Sequence, residues 1–155
     1  MSGNTNVFNP PIELESYISL PPSDVFKAIT TAETWDKWFT TGMELDLSIG
    51  GKMLFRWKNW GPHQYEGEDI GEIVEISEPS VFKFQWHKDA NIPPTTVAFE
   101  LKSLGGGTHL LLTETGYLDD ELGRGWMLSC ATGWGEAIAL LKMYLEHGVA
   151  YTRRT

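Results

Sequence analysis

The sequence has little cysteine, few positive charges and no long apolar run. Its 155 residues include one cysteine, Cys130, which excludes an internal disulfide and a cysteine-rich zinc site and is typical of a reducing compartment. With 12 Lys and Arg against 21 Asp and Glu, the net charge of −9 disfavours nucleic acid and anionic membrane surfaces as partners. No window approaches the roughly 18 consecutive apolar residues of a membrane-spanning helix. Together these absences predict a cytoplasmic protein.

Aromatic residues are abundant instead: they make up 12% of the chain, and 7 of them are tryptophan. The length and the hydrophobic content of 41% predict a single domain with one core. Residues 1–11 (MSGNTNVFNPP) have neither the basic start nor the apolar run of a signal peptide. They predict a flexible leader, followed by one domain over 12–150 and a tail over 151–155.

The chain from residue 12 to residue 42 predicts one strand and two short helices. Residues 12–19 alternate between apolar and polar types, which indicates a half-buried strand. The proline pair at 21–22 ends it and suits the first turn of a helix that runs to Thr30. Thr30 and Glu33 have the spacing of a capping box, so a second helix is expected to begin there. It carries Trp35, Trp38 and Phe39 and ends before Gly42.

The centre of the chain predicts an antiparallel meander, because short alternating segments are separated by Gly, Pro, Asn or Asp. These segments are residues 43–47, 52–59, 65–77, 80–87, 95–103 and 108–117. Adjacent Ile73 and Val74 indicate a bulge in the third of them. The three glycines at 105–107 join two strands and do not lead into a helix, so they predict a turn and not a phosphate-binding loop.

Helical periodicity returns after residue 120, where apolar residues recur at intervals of three and four. It predicts one long helix, with Gly148 as its C-cap. The stripe is Met127, Ala131, Trp134, Ile138, Leu141 and Leu145. The element order predicts an α+β fold in which this helix covers the apolar face of the sheet. A sheet that curves around the helix would enclose a cavity; the alternative is that the same bulky side chains fill the space.

Six segments carry a resemblance to a known family: PPSDVFKAITTAETWDKWF, DLSIGGKMLFRW, GEIVEISEP, FKFQW, GGGTHLLLTETGY and GWGEA. In this order they resemble the helix-grip superfamily of START and Bet v 1-like proteins (SRPBCC), in particular the branch similar to the activator of heat-shock protein 90 ATPase homologue. The resemblance covers residues 12–147. It implies a curved antiparallel sheet of six to seven strands that grips a long C-terminal helix around a hydrophobic cavity, with two short helices after the first strand.

The resemblance leaves the function open, since the superfamily includes lipid carriers, hormone receptors, aromatising cyclases and co-chaperone domains. Our first hypothesis is a non-catalytic protein that binds a hydrophobic or lipid-like small molecule. The alternatives are a cyclase- or aromatase-type enzyme that uses the same cavity, and an interaction module that stimulates a chaperone ATPase. The eukaryotic co-chaperone has a separate N-terminal domain, which residues 1–11 cannot replace. We expect a monomer or homodimer.

Aromatic walls with a few polar groups suit an apolar or aromatic ligand. The candidates for the cavity, on inward strand faces and on the helix, are Phe55, Trp57, Phe84, Trp86, Phe99, Leu112, Glu114, Trp126, Met127, Cys130 and Trp134. Trp35, Trp38 and Trp60 lie near the expected mouth, where they would serve as a gate, a core lid or a partner surface.

Glu114 shares the parity of Leu110 and Leu112, so it faces inward if they do. A buried carboxylate there would act as a ligand anchor or a general acid/base. The alternative is a strand end at the rim, with Glu114 in solvent. The remaining acidic residues of the centre predict a solvated sheet face. They are Glu66, Glu68, Asp69, Glu72, Glu75 and Glu78.

Cys130 lies on the flank of the helical stripe and has no activating base at helical spacing, so we interpret it as a wall or core residue and not as a nucleophile. The four histidines show no metal-ligand spacing. We therefore predict neither a metal nor another cofactor.

Overall fold

The computed structural model describes residues 6–9 and 11–151. The strands are β1 (Ile12–Ile18), β2 (Glu44–Leu45), β3 (Lys52–Trp60), β4 (Tyr65–Ser77), β5 (Val81–His87), β6 (Thr95–Leu104) and β7 (Gly107–Thr115). The helices are α1 (Pro22–Thr30), α2 (Ala32–Trp38) and α3 (Glu121–His147). All seven strands form one antiparallel sheet in the order β1-β7-β6-β5-β4-β3-β2. The α+β helix-grip architecture, with two short helices after the first strand, is confirmed.

The predicted strands and turns agree closely with the observed ones. The register between β4 and β5 shifts between Ile73 and Glu75, which confirms the bulge. β6 and β7 are joined at the predicted glycine turn, where Gly105 and Gly106 adopt φ of 55° and 81°. β2 is much shorter than the predicted segment 43–47.

The two short helices begin differently. Pro22 is the first residue of α1, where its missing N–H leaves no bond unmade. The capping box predicted for α2 is wrong: Thr31 is the N-cap and makes no side-chain cap bond. The Thr30 hydroxyl instead donates to the Phe26 carbonyl oxygen at 2.7 Å, within α1.

Helix α3 is fixed at both ends by its caps. The Asp120 carboxylate accepts from the Gly123 N–H at 2.8 Å. Gly148 adopts a left-handed φ of 68° and donates its N–H to the Tyr144 carbonyl oxygen, as predicted for the C-cap. The helix thus spans 27 residues across the domain.

The core lies between the inner face of the sheet and the helices. Alternate residues of the strands supply its aromatic and aliphatic floor, which includes Phe55, Phe82, Phe84, Phe99, Leu110 and Leu112, all fully buried. Trp35 and Trp38 of α2 are also fully buried, and the Trp35 ring meets Phe55 edge-on with 5.6 Å between centroids. Of the three roles expected for these two tryptophans, a gate, a core lid or a partner surface, the structure supports the role in the core.

Part of the predicted leader is attached to the domain. Val7 forms an antiparallel bridge with Leu118, and the Phe8 N–H donates to the Tyr117 carbonyl oxygen at 3.0 Å. Residues 1–5, 10 and 152–155, the remainder of the predicted leader and tail, lie outside the described residues. In the part of the chain that is described, none of the helices combines the length and apolarity needed to cross a bilayer.

Candidate functional site

A partly open cavity of about 200 Å³ lies between α3 and strands β3, β4 and β5. Its lining is Phe39, Trp57, Trp60, Tyr65, Asp69, Trp86, Ser129, Cys130, Gly133 and Trp134. Six of these ten residues are aromatic. Concave, mostly apolar walls with a few polar groups are typical of small-molecule sites.

Three neighbouring strands supply the sheet wall. In the antiparallel register Trp57 pairs with Gly67, and Gly71 pairs with Trp86. Asp69 lies midway between the two glycines, and alternate residues of a strand share a face, so its carboxylate stands between positions that carry no side chain. A Cβ at Gly67 would collide with the Tyr65 ring, and one at Gly71 would lie 3.1 Å from the Phe55 ring, so the two glycines leave room for these rings on the surface.

Helix α3 supplies the opposite wall through residues spaced within one turn. Cys130, Gly133 and Trp134 are separated by three and four positions and therefore lie on one helix face. A Cβ built on Gly133 would meet no heavy atom within 4 Å, so the absence of a side chain leaves that side open. Phe39, which caps the C-terminus of α2, closes the end of the cavity.

The aromatic side chains around the cavity pack on one another. The Trp86 and Trp134 rings meet edge-on with 5.4 Å between centroids, and Trp57 and Trp86 stack at 6.3 Å. Phe39 contacts the rings of Trp57 and Trp60, each at 5.3 Å. Each such pair adds about 0.5–1.5 kcal/mol beyond burial, so the wall is held in place without a ligand.

Asp69 is a half-buried carboxylate in this aromatic wall. Its Oδ2 accepts from the Trp86 indole N–H at 2.9 Å. Burial raises the pKa of Asp69 to about 6, against the lowering effects of the Trp86 hydrogen bond and the Lys88 charge. Burial, and next the Asp69 charge, raise the pKa of the Tyr65 hydroxyl as well. An ionised carboxylate is thus held where the surroundings disfavour its charge.

Behind Trp86 lies a polar network centred on Glu114, which is fully buried. Its Oε2 pairs with the Lys88 ammonium and accepts from Thr95 at 2.5 Å and Tyr117 at 2.7 Å. Its Oε1 accepts from the Trp134 indole N–H at 2.9 Å. The network fixes Trp134, and therefore one wall of the cavity, to the sheet.

Cys130 lines the cavity, and Tyr117 belongs to the Glu114 network. Burial, and next the Glu114 charge, raise the pKa of the Cys130 thiol to about 11. Burial and the same carboxylate raise the pKa of Tyr117 above its usual range. A thiol with so high a pKa is a poor nucleophile at neutral pH, so the geometry offers binding surface and not an activated group.

The structure brings together four of the cavity candidates: Trp57, Trp86, Cys130 and Trp134. It places Glu114 inward, in the network behind the cavity. Phe55, Phe84, Phe99 and Leu112 are fully buried in the core beneath it. Met127 is half-buried on α3 and does not line the cavity. Trp126 lines a separate surface depression with Leu122 and Gly125, so its placement in the same chamber needs correction.

Several residues of the site were missed or assigned elsewhere. Asp69, which was grouped with a solvated acidic face, lines the cavity. It shares its strand parity with the buried Ile73, and this parity could have predicted that its side chain faces inward. Trp60 lines the cavity near its mouth. Lys88 follows β5 in a segment without periodicity, and nothing in its sequence context signals a buried partner.

The topology defines the class of protein: a helix-grip domain with a partly open cavity of about 200 Å³ under its long helix. Residues 19–146 match the family described as Activator of Hsp90 ATPase homolog 1-like protein, and the chain belongs to that family. No match was found among curated proteins.

Solved structures of low sequence identity share the fold. CalU16 from Micromonospora echinospora is 20% identical with a TM-score of 0.70, over 86% of this chain and 73% of that one. The Aha1 dimer from Colwellia psychrerythraea is 22% identical with a TM-score of 0.73, over 88% and 96%. A protein of unknown function from Staphylococcus aureus is 14% identical with a TM-score of 0.77, over 94% and 98%.

Proposed function

We propose that this protein binds a small apolar or aromatic molecule in the cavity between α3 and strands β3–β5, without transforming it. The observation that carries the proposal is a partly open space of about 200 Å³ with six aromatic residues in its lining. The lining combines these rings with a few polar groups, which is the pattern of small-molecule sites.

The size of the cavity favours a small ligand over a lipid. Pockets for drug-sized ligands measure roughly 300–1,000 Å³. A space of about 200 Å³ suits a molecule below that range, such as one substituted ring or a short branched chain.

We propose the same cytoplasmic location that the single cysteine indicates.

Binding is better supported than the cyclase-type alternative. With Glu114 as its acid/base, that alternative requires the Glu114 carboxylate to be free to exchange a proton with the ligand. The two oxygens of Glu114 already accept four hydrogen bonds or ion pairs, and Glu114 does not line the cavity. Its contacts support a positioning role for Trp134.

Two leucine substitutions on one helix test the proposal. Gly133 lines the cavity and Gly125 lines the separate depression, and a Cβ at either position meets no atom within 4 Å. Gly133→Leu should fill the cavity, whereas Gly125→Leu adds the same side chain outside it. Both variants are expected to fold, because leucine favours helix over glycine.

The measurement is a screen of small apolar and aromatic compounds by tryptophan fluorescence and melting temperature. Four tryptophans line the cavity, so a bound compound should quench emission and raise the Tm of the wild type and of Gly125→Leu. Gly133→Leu should lose both responses. Binding that survives in Gly133→Leu, or a library without any effect on the wild type, would refute the proposal.

A further inference from the structure

We infer that the ligand of this cavity is a small organic cation, an amine or a quaternary ammonium, held between indole rings and the Asp69 carboxylate. The inference rests on the proposed binding function and adds a cationic group to its small apolar or aromatic ligand. It depends on three features: the ring types in the wall, the charge of the lining, and the cost of keeping Asp69 there.

The wall is rich in the ring that attracts cations most. The faces of aromatic rings carry negative potential, and tryptophan binds ammonium groups better than phenylalanine or tyrosine does. Trp57, Trp60, Trp86 and Trp134 all line the cavity. The site already shows one such contact, because the Lys88 ammonium lies 4.3 Å from the centroid of the Trp86 ring.

The charge of the lining is negative. Among the described residues that line the cavity, Asp69 is the only one that carries a formal charge at neutral pH. Its Oδ2 accepts from Trp86, and no described residue donates to its Oδ1. A bound ammonium would supply the opposite charge, and an amine that carries an N–H would also donate to this oxygen.

Lys88 does not already fill this role. Its ammonium pairs with Glu114 and donates to Thr95 at 2.6 Å, and its side chain is only 2% exposed. The Lys88 charge lowers the pKa of Asp69, but its ion pair is with Glu114, and Asp69 has no ion-pair partner among the described residues. The net charge of −9 further raises the local concentration of cations around the molecule.

Asp69 opposes folding where it stands. Burial raises its pKa to about 6, so ionising it at neutral pH costs stability in the folded state. A site for a neutral apolar ligand would need only an uncharged acceptor for the Trp86 indole N–H at this position, and the charge would weaken its binding. A cation turns the same carboxylate into an attractive partner.

The inference carries a specific dependence on pH. The charges of Lys88 and Asp89 act on Asp69. The Asp69 charge in turn acts on Tyr65 and Cys130. A bound cation favours the ionised carboxylate and lowers the pKa of Asp69, so binding releases a proton. Cation affinity should therefore rise as the pH increases through about 6 and then level off.

An isosteric pair of probes tests the inference by calorimetry with the full chain. Choline carries a trimethylammonium group, and tert-butylethanol has the same shape with an uncharged carbon in place of the nitrogen. The wild type should bind choline about tenfold more tightly than the alcohol. Asp69→Asn, which preserves the size of the side chain, should lose about tenfold for choline and leave the alcohol within about twofold.

Glu66→Gln is the matched control, since it removes the same charge from the exposed side of β4 and should leave both affinities unchanged. Equal affinities of the two probes for the wild type, or choline binding without dependence on pH or Asp69, would overturn the cation inference while the binding function stands. Absence of binding by both probes also overturns it, and the compound screen with Gly133→Leu then decides the binding function separately.

Discussion

Lys88 and Glu114 form an ion pair almost without solvent contact, with side-chain exposures of 2% and 0%. Taking both charges out of water costs several kcal/mol per ion, and their attraction offsets this cost only while both are present. The hydrogen bonds from Thr95, Tyr117 and Trp134 to Glu114 satisfy its remaining acceptor sites. Removing one partner therefore costs more than the pair contributes as a unit.

We expect Lys88→Met to lower the free energy of unfolding by about 3–5 kcal/mol, because it leaves Glu114 buried without its cation. The double variant Lys88→Met/Glu114→Gln should recover part of that loss, because the amide removes the unpaired charge and its oxygen can still accept from the buried donors. Lys83→Met is the control: it breaks the exposed pair with Glu75 at 3.3 Å and should cost less than about 1 kcal/mol. Urea denaturation that shows equal losses for Lys88→Met and Lys83→Met would contradict the account.

At the residue scale, parity predicts which side chains face inward but not what they meet. Glu114 shares the parity of Leu110 and Leu112, and all three side chains are buried on the inner face. The same rule applied from Ile73 would have identified Asp69, which composition assigned to a solvated cluster. Lys88 lies outside any strand or helix, so no period reveals its side-chain direction.

At the scale of the element, helix α3 contains glycines that reduce its own stability. A glycine in a helix interior costs about 1 kcal/mol relative to alanine. At Gly123 a side chain would collide with the Leu118 carbonyl oxygen, so packing requires glycine there. At Gly125 and Gly133 a Cβ meets no atom within 4 Å. Gly133 keeps the cavity open, which favours binding over helix stability.

Alanine substitutions separate these cases. Gly133→Ala and Gly125→Ala should each raise the free energy of unfolding by up to about 1 kcal/mol, because alanine loses less conformational entropy in a helix. Gly123→Ala should lower it, because the backbone must shift away from the Leu118 carbonyl. Chemical denaturation checks all three variants. A stabilising Gly123→Ala or a destabilising Gly133→Ala would show that the space around α3 is described wrongly.

Element boundaries could be predicted where periodicity, proline and glycine agree. The bulge at Ile73 and Val74 was readable because two adjacent apolar residues break the alternation. The start of α2 could not be predicted in the same way. The Thr30 hydroxyl could bond either the Glu33 N–H, three residues ahead, or the Phe26 carbonyl oxygen, four residues back. It bonds the Phe26 carbonyl of the preceding helix, a choice that depends on the path of the backbone.

At the scale of the whole molecule, the tryptophans divide into a core set, a cavity set and one outlier. Trp35 and Trp38 are in the core, and four others line the cavity. Trp126 is eight residues from Trp134, which places it about 12 Å away along the helix axis and rotates it by about 80°. The apolar stripe of α3 predicts the helix, but it does not predict which part of the helix the sheet covers.

Whether the space under α3 is open could not be predicted from the sequence. Composition supplies enough aromatic volume to fill it, and packing normally does so. The outcome depends on Gly133 of α3, which lines the cavity and has no atom within 4 Å of its Cβ position, and on the rings of Tyr65 and Phe55, which occupy the space at Gly67 and Gly71. Their contribution becomes visible only once strand register and helix rotation are known.

The central claim, that a ligand binds in this cavity, is tested most directly by the indole N–H resonances in a nitrogen–proton correlation NMR spectrum. The seven tryptophans provide probes at all three locations. A compound that raises the Tm should shift the resonances of Trp57, Trp60, Trp86 and Trp134 and leave those of Trp35, Trp38 and Trp126 in place. A shift confined to Trp126, or a bound compound that moves none of the four, would contradict the claim.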